Sequence, residues 1–314
     1  MQVPRRELVL VSVLICTRNR ATSLEVTLRR FFEQRFSGGY DVELVAVDNG
    51  STDATRAVIE ACAALHPAVR YRLETRPGLS VARNTALAES RGDIIVFTDD
   101  DVRPSPDWLD EIHAEFVRDP RLALLGGRVL LAREGLLEVS FQPSSERQEF
   151  AFPSSGSFVI GANMAFRREV FERVGTFDVR LGAGRWFAGA EEVDLFYRAM
   201  KAGYRQLYAP NVLVYHDHDR TDLDPVCRME YSYGKGLAAY LIKHALHGDS
   251  VASRRFLRLL GSLPGRWRAS RGESVDGVAR RRAQTRGVLA GTVVAPFVMW
   301  AHPGTDALPA RKAE

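Results

Sequence analysis

Residues 92–101 read Gly-Asp-Ile-Ile-Val-Phe-Thr-Asp-Asp-Asp, and this stretch decides the fold. Its apolar centre is rich in β-branched residues, which is typical of a strand buried on both faces. The strand runs directly into three consecutive aspartates, Asp99, Asp100 and Asp101. Gly92 comes just before it, where a preceding helix would end. The stretch therefore predicts a central strand with an acidic group at its carboxyl end.

Three further strands are predicted upstream, at residues 9–16, 42–47 and 69–73. Strand and helix patterns alternate four times within the first hundred residues. This alternation is typical of an α/β fold with a mainly parallel central sheet, because parallel neighbours need a helical crossover. In such sheets, ligands bind outside the carboxyl ends of the strands. Polar clusters follow three of those ends, at residues 17–20, 48–53 and 99–101.

Asp99 and Asp101 are candidate metal ligands. They lie two positions apart, so on extended backbone their side chains point the same way. Two carboxylates so close repel each other unless a cation lies beside them. Their hard oxygen atoms suit Mg²⁺ or Mn²⁺, with diphosphate oxygens completing the coordination. The alternative is a solvated acidic turn, but the position at the end of a buried strand favours the metal site.

Asp48 and Arg83 are candidate nucleotide-binding residues. A carboxylate at Asp48 could accept hydrogen bonds from a nucleobase or a ribose, or it could close an Asx turn. Arg83 lies in the helical stretch after Gly78, where its guanidinium could bind a diphosphate through two hydrogen bonds. A plain surface arginine is the alternative.

Carboxylates and a histidine further along the chain are candidates for proton transfer and metal binding. Glu191, Glu192 and Asp194 open a predicted helix, where the helix dipole favours acidic residues. They can be simple helix-start residues, or one can be a general base that the helix N-terminus keeps ionised near neutral pH. His216 ends a later strand and is either structural or a ligand that joins Asp101 on the metal and favours Mn²⁺.

Taken in order, these segments resemble the family 2 glycosyltransferases of the GT-A fold. The resemblance covers about residues 9–220 and is carried by five segments: residues 11–20, 47–53, 82–86, 92–101 and 191–195. It implies a GT-A nucleotide-sugar-binding fold and inverting transfer of a sugar from a nucleoside diphosphate sugar to an acceptor hydroxyl. It also implies a divalent metal, Mn²⁺ or Mg²⁺, and a place in cell-surface polysaccharide or glycoconjugate synthesis.

The resemblance further implies which side chains bind the donor. Thr17 and Asp48 would hold the nucleoside, with Asp48 near the base. Arg83 would lie near the diphosphate or the base, and Asp99 would face the ribose. Asn163 would line the sugar or acceptor pocket.

By the same resemblance, the metal would be held by Asp101 and by His216, which matches a late histidine that some members use. The catalytic base would be Glu192, at a position where the family usually has aspartate. Glu191 and Asp194 remain alternatives for that role.

Two other functions remain open. A metal-dependent phosphoryl-transfer enzyme could use the same acidic motif, but the phosphatases that the motif resembles carry it after their first strand and not after the fourth. A non-catalytic scaffold that binds sugar nucleotides or glycans is the second alternative, because glutamate replaces aspartate at position 192.

The C-terminal residues 221–314 are predicted to form a basic, mainly helical extension of a domain at residues 1–220. The chain has a net charge of +4, but residues 251–314 alone contain twelve Lys and Arg against four Asp and Glu. Cations interleaved with aromatic and leucine residues suit a helix on an anionic membrane surface. We therefore expect a cytoplasmic protein at the inner face of a membrane, where a glycan or lipid-linked acceptor would be found. A solvated extension or a dimer arm is the alternative.

Composition excludes several classes of protein. The chain of 314 residues is 46% hydrophobic and 26% charged, which argues against a disordered chain. Three cysteines are too few for a disulfide framework. The longest apolar stretch is shorter than the ~20 residues of a membrane span. No base-stacking module is recognisable, so we expect no nucleic-acid partner.

Overall fold

The computed structural model describes residues 9–153, 159–268 and 273–300. Within those ranges the strands are β1 (Val9–Thr17), β2 (Tyr40–Asp48), β3 (Val69–Leu73), β4 (Ile94–Thr98), β5 (Val102–Pro104), β6 (Leu124–Leu131), β7 (Gln148–Phe150), β8 (Met164–Arg167) and β9 (Gln206–His216). The helices are α1 (Ala21–Phe32), α2 (Thr55–Leu65), α3 (Leu79–Glu89), α4 (Trp108–Arg118), α5 (Arg168–Val174), α6 (Glu191–Lys201), α7 (Leu223–Leu246), α8 (Ser250–Arg266) and α9 (Val275–Trp300).

The first four strands form the parallel part of the sheet, in the order β3-β2-β1-β4. The helices α1, α2 and α3 follow β1, β2 and β3, and β4 leads through the short strand β5 to α4, so the predicted α/β alternation is confirmed. All five residues of β4 are buried, as expected of a strand covered on both faces. Parallel pairing brings the carboxyl ends of β1, β2 and β4 to one edge of the sheet.

The later strands extend the sheet beyond β4 in the order β8-β6-β9-β5, with mixed directions. β8 is antiparallel to β4 and β6, whereas β9 is parallel to β6. The short strands β5 and β7 pair with β9. β7 lies within residues 132–156, which are predicted to be a loop because they are mixed polar and contain several Pro and Ser. Residues 154–156 of that predicted loop lie outside the described residues. The ladder between β5 and β9 aligns Val102 with His216, so the end of β9 lies beside the residues that follow β4.

Two apolar layers cover the two faces of the sheet. Alternate residues of β1 point to opposite sides: Val11, Val13 and Ile15 contact one layer and Leu14 the other. The first layer is closed by α1, α2 and α4, and the second by α3, α5 and α6. Burial on both faces explains why the central strands read as continuous apolar runs in the sequence.

The C-terminal helices pack against the rest of the chain. Ala238 and other residues of α7 share an apolar cluster with Leu181, Phe187 and Tyr197, which precede or lie in α6. The division into domains at residue 220 stays a prediction. In the part of the chain that the structure describes, no helix is both long and apolar enough to cross a membrane.

Candidate active site

The carboxyl ends of β1, β2 and β4 meet as predicted. Thr17 and Asp48 are register partners, and the backbone N–H of Asn49 donates to the carbonyl of Thr17 over 2.8 Å. Arg20, which follows β1, donates from Nε to Oδ1 of Asp100 over 3.3 Å and also pairs with Asp101. A cavity of about 420 Å³ adjoins this edge and is lined in part by Arg20 and Asp101. The three polar clusters thus form one site.

Asp99, Asp101 and His216 form a group of candidate metal ligands. One ligand atom from each lies within 4.8 Å of the others. Nε2 of His216 is 3.0 Å from Oδ1 of Asp101, and both side chains are buried. The β5–β9 ladder brings them together, because it aligns the residue after Asp101 with His216.

The electrostatics of this group fit a bound cation. Burial raises the pKa of Asp99, and the Arg83 charge only partly offsets it. Burial also acts to raise the pKa of Asp101, but the hydrogen bond and charge of His216, together with Arg20, hold it below its ordinary value. Nδ1 of His216 is buried without a hydrogen-bond partner. Two carboxylates and one imidazole are a donor set that Mn²⁺ accepts.

Asp48 and Thr17 lie at the same edge as the metal candidates. Oδ1 of Asp48 accepts a hydrogen bond from the backbone N–H of Ser51 over 2.7 Å. This oxygen therefore closes the Asx turn that was the alternative to a nucleotide-binding role. Oδ2 accepts the phenol of Tyr71 over 3.4 Å. The hydroxyl of Thr17 is buried and has no hydrogen-bond partner. The turn and a nucleoside-binding role are compatible, because they use different atoms.

Arg83 is buried, so the surface-arginine alternative is wrong. Its Nη1 donates to Oε1 of Glu191 over 2.9 Å, and Nη2 is 3.7 Å from Oδ1 of Asp99. Its guanidinium also lies 5.5 Å from the ring centroid of Phe177. Arg83 therefore connects the metal candidates to the N-terminus of α6.

The three carboxylates that open α6 have different surroundings. Asp194 is fully buried and accepts from Lys243 and His244 over 2.8–3.0 Å, so it is held in an ion network. Glu191 is paired with Arg83. The Oε2 atoms of Glu191 and Glu192 are both buried without a hydrogen-bond partner. Among the described residues, Glu192 is the carboxylate of the three that forms no ion pair, although the charge of Arg83 partly offsets the rise that burial causes in its pKa.

The pKa values separate Glu192 from Asp194. Although burial acts to raise the pKa of Asp194, the charges of Lys243 and Arg198 hold it well below its ordinary value. Burial and the neighbouring carboxylate of Glu191 raise the pKa of Glu192. This corrects the expectation that the helix N-terminus keeps the base ionised: desolvation and charge repulsion outweigh the dipole here.

Asn163 is enclosed in the interior and is not brought to this group. Its Oδ1 accepts the indole N–H of Trp108 over 2.9 Å, and its Nδ2 donates to the carbonyls of Arg128 and Val212. These bonds give Asn163 a structural role in place of the pocket-lining role that the resemblance implies.

The structure also adds residues that the sequence did not indicate. Lys243 and His244 of α7 neutralise Asp194, and Tyr233 of the same helix packs on Gly189 just before α6. No motif marks these positions, because their partners lie far away in sequence. The half-exposed Trp186 lies in the segment 182–189 before Glu191. The glycines and aromatic residues of that segment are the sequence feature that could have drawn attention to this region.

Comparisons with known proteins show which proteins this chain resembles. The sequence profile described as Glycosyl transferase family 2 matches residues 12–175, and that of Glycosyl transferase family group 2 matches residues 94–302. The pre-mycofactocin glycosyltransferase of Mycobacterium tuberculosis is 33% identical over 175 residues, which are 53% of this chain and 36% of that protein. The chain thus spans about a third of that relative's length.

A second relative and a solved structure extend the comparison. The glucosyl-dolichyl phosphate glucuronosyltransferase of Haloferax volcanii is 25% identical, over 68% of this chain and 72% of that protein. The mannosyltransferase PcManGT from Pyrobaculum calidifontis, solved with GDP-Man and Mn²⁺, has a TM-score of 0.62 at 22% identity and covers 91% of this chain and 86% of its own. That structural likeness shows a shared fold.

Proposed function

The chain belongs to glycosyl transferase family 2, and from this premise we propose that it transfers a sugar from a nucleoside diphosphate sugar to an acceptor hydroxyl. One observation carries the proposal: Arg83 lies between Asp99 of the metal candidates and Glu191 beside the candidate base. Nucleotide-binding groups, metal ligands and a base are therefore close enough to act on one bound donor.

Donor binding is assigned to the edge formed by β1, β2 and β4. Thr17 and Asp48 hold the nucleoside, supported by the unpartnered buried hydroxyl of Thr17 and by the position of both residues at the carboxyl ends of paired strands. Asp99, Asp101 and His216 would hold the divalent ion, and the imidazole favours Mn²⁺ over Mg²⁺. When bound, the ion offsets the charge that develops on the departing diphosphate. The Mn²⁺ of the related PcManGT structure supports this assignment.

Glu192 is proposed as the base of an inverting transfer. It takes the proton of the acceptor hydroxyl while that oxygen forms a bond to the anomeric carbon. The bond from that carbon to the diphosphate oxygen breaks, and its electron pair leaves with the nucleoside diphosphate on the opposite face. Glu191 forms an ion pair with Arg83 and Asp194 forms one with Lys243, whereas Glu192 forms none within the described residues, and this difference supports Glu192 for the role.

The acceptor is proposed to be a glycan or a lipid-linked sugar at the inner face of a membrane. Support comes from the outward face of α9, where Arg282 and Arg286 are followed by exposed apolar residues, Leu289, Val293, Phe297 and Trp300. Such a face suits peripheral contact with anionic lipid. The Haloferax relative is named a glucosyl-dolichyl phosphate glucuronosyltransferase, and the lipid-linked sugar in that name supports the same class of acceptor here.

Donor binding can be tested by thermal shift with a panel of nucleoside diphosphate sugars, with and without Mn²⁺. We expect one donor to raise the melting temperature in a Mn²⁺-dependent manner, because a ligand that binds the folded state stabilises it. Asp101→Asn should lose this Mn²⁺-dependent shift. Asp119→Asn, which changes a carboxylate paired with Arg205 outside the site, should keep it. A panel without any shift would contradict the proposal.

The base can be tested by turnover of the donor found in that panel. Glu192→Gln should lower turnover by about 10²–10⁴-fold while donor affinity is retained, because a general base acts only in the chemical step. Glu191→Gln is the matched control and should lose less, since Glu191 binds Arg83. Equal turnover of Glu192→Gln and the wild type would rule out this base.

A further inference from the structure

The side chain of Arg20 is held against the acidic group that follows β4. Its Nε donates to Oδ1 of Asp100 over 3.3 Å, and its Nη2 pairs with Oδ2 of Asp101. Its Nη1 lies 3.9 Å from a carboxylate oxygen of the exposed Asp219. The guanidinium therefore bridges two neighbouring carboxylates after β4, and one of them, Asp101, is a candidate metal ligand.

The backbone that carries Arg20 is anchored at the start of α1. The backbone N–H of Arg20 donates to Oγ1 of Thr55 over 3.3 Å, and its carbonyl accepts from the N–H of Leu24 over 2.9 Å. Thr27 of the same helix donates from Oγ1 to the carbonyl of Asp100 over 3.0 Å. Helix α1 thus anchors both the arginine and the acidic segment.

The two carboxylate oxygens of Asp101 have different partners. Oδ2 pairs with Arg20, whereas Oδ1 lies 3.0 Å from Nε2 of His216. An octahedral ion with bonds of about 2.1 Å holds neighbouring ligand atoms about 3.0 Å apart. Oδ1 and Nε2 therefore have the spacing of two ligands of one ion, while Oδ2 is turned to the guanidinium.

We propose that Arg20 is a positioning residue for the divalent ion. By binding Oδ2 of Asp101, it fixes the carboxylate so that Oδ1 faces the ion together with His216. This role deepens the proposed function and rests on its metal site. Carboxylates that ligate a metal are themselves held by hydrogen bonds from surrounding groups, and the loss of such a group weakens metal binding.

The opposite role would be competition, in which Arg20 occupies Asp101 and must leave before the ion binds. Two observations favour positioning over competition. The guanidinium binds one oxygen of Asp101 and leaves the other beside His216. Its charge is also shared with Asp100, which reduces its repulsion of a second cation.

Arg103 provides a matched control. Its side chain is 37% exposed, against 33% for Arg20, and both residues line the cavity beside the site. Arg103 pairs with Asp217, which is not among the candidate ligands and also pairs with Arg133 over 2.9 Å. Replacement of Arg103 removes the same charge from the same cavity without removing a partner of Asp101. The control therefore separates the orientation of the ligand from the general effect of charge.

The experiment measures the Mn²⁺ affinity of the metal-free full chain from the loss of the electron paramagnetic resonance signal of free Mn²⁺, without donor or turnover. We expect Arg20→Gln to weaken Mn²⁺ binding by about tenfold or more. Arg20→Lys should recover part of this loss, because lysine keeps the charge but lacks the planar fork that reaches two carboxylates. Arg103→Gln should bind within about twofold of the wild type, because a partly exposed charge that contacts no ligand is screened by water.

Three results would overturn the positioning role. The first is an unchanged Mn²⁺ affinity of Arg20→Gln, and the second is tighter binding, which is the expectation for a competitor. The third is an equal loss in Arg103→Gln, which would make charge and not orientation the cause. The melting temperature of each metal-free variant checks that it is folded. If Arg20→Gln does not fold, Arg20→Lys takes its place, and an affinity equal to that of the wild type would again refute the role.

A failure of the proposed function would have a different signature. In that case the wild type would bind no Mn²⁺ and no donor would shift its melting temperature, so the metal site and the role of Arg20 would fall together. A wild type that binds Mn²⁺ and responds to a donor, with a Mn²⁺ affinity that does not depend on Arg20, would leave the transferase site in place and refute only the positioning role.

Discussion

Glu192 and Asp194 lie two positions apart on one helix, yet their surroundings shift their pKa values in opposite directions. Asp194 is surrounded by Lys243, His244 and Arg198, and these groups favour its ionised form. Glu192 has a buried oxygen without a partner, and burial favours its protonated form. The raised pKa makes the ionised carboxylate a stronger base, which is the property that a general base needs once it has released its own proton.

The raised pKa of Glu192 predicts a pH-dependent effect on stability. The folded protein keeps this proton at pH values where the unfolded chain has released it. The proton therefore contributes to the free energy of unfolding at low pH, and this contribution is lost as pH rises through the folded pKa. Glu192→Gln should therefore melt higher than the metal-free wild type at about pH 9 and show a smaller difference at about pH 5.

Glu138→Gln is the control for that comparison, because Glu138 is exposed. Its melting temperature should follow the wild type at both pH values. A difference between Glu192→Gln and the wild type that does not change with pH would show that burial of a charge is not the cause.

At the scale of elements, α7 and α9 pack unusually close together. A Cβ at Gly287 would lie 1.9 Å from the carbonyl oxygen of Tyr231, and one at Gly234 would lie 2.1 Å from that of Gln284. Gly291 faces Lys235 in the same way, with its Cβ position 2.7 Å from the carbonyl oxygen. Because glycine has no side chain, the backbones of the two helices can come into contact at these positions. Because α7 also contacts Gly189, this packing helps to hold α7 beside the first turn of α6.

Two glycines in helices predict opposite effects of the same substitution. Gly287→Ala should destabilise the protein by about 1–3 kcal/mol, because the added methyl group forces the two backbones apart. Gly261→Ala in α8 meets no atom within 4 Å and should stabilise the protein by about 0.5–1 kcal/mol through helix propensity. Chemical denaturation measures both changes. A neutral Gly287→Ala would contradict the close packing.

At the scale of the whole molecule, charge and exposed apolar area are concentrated on the C-terminal helices. The outward face of α9 begins with Arg282 and Arg286 and continues with Val293 and Phe297, which are 69% and 80% exposed. At this helical spacing the exposed side chains form one stripe, which is cationic in its first part and apolar in its second. A bilayer with anionic headgroups can bind both parts of this stripe.

This face predicts membrane binding that can be measured with vesicles. Co-sedimentation with vesicles that contain phosphatidylglycerol should fall by about tenfold or more in the double variant Val293→Asp, Phe297→Asp, since apolar burial is lost and negative charge is added. Added salt should also weaken binding by the wild type. Leu65→Asp is the control, because Leu65 is 78% exposed on α2. Equal sedimentation of all variants would refute contact through α9.

Much of the fold and the donor half of the site could be predicted from the sequence. The alternating strands and the acidic end of β4 could be predicted because their pattern depends only on residues that are neighbours in the sequence. Parallel pairing of those strands then brings together residues 17–20, 48–53 and 99–101. The order of the motifs was enough to indicate the family.

Tertiary packing alone distinguished the three carboxylates of α6 and turned Asn163 inward. Lys243 and His244 lie 49 and 50 positions from Asp194, and Trp108 lies 55 positions from Asn163. A titratable group responds to the charges and the water around it in space, and no pattern along the chain records which distant side chain will supply them.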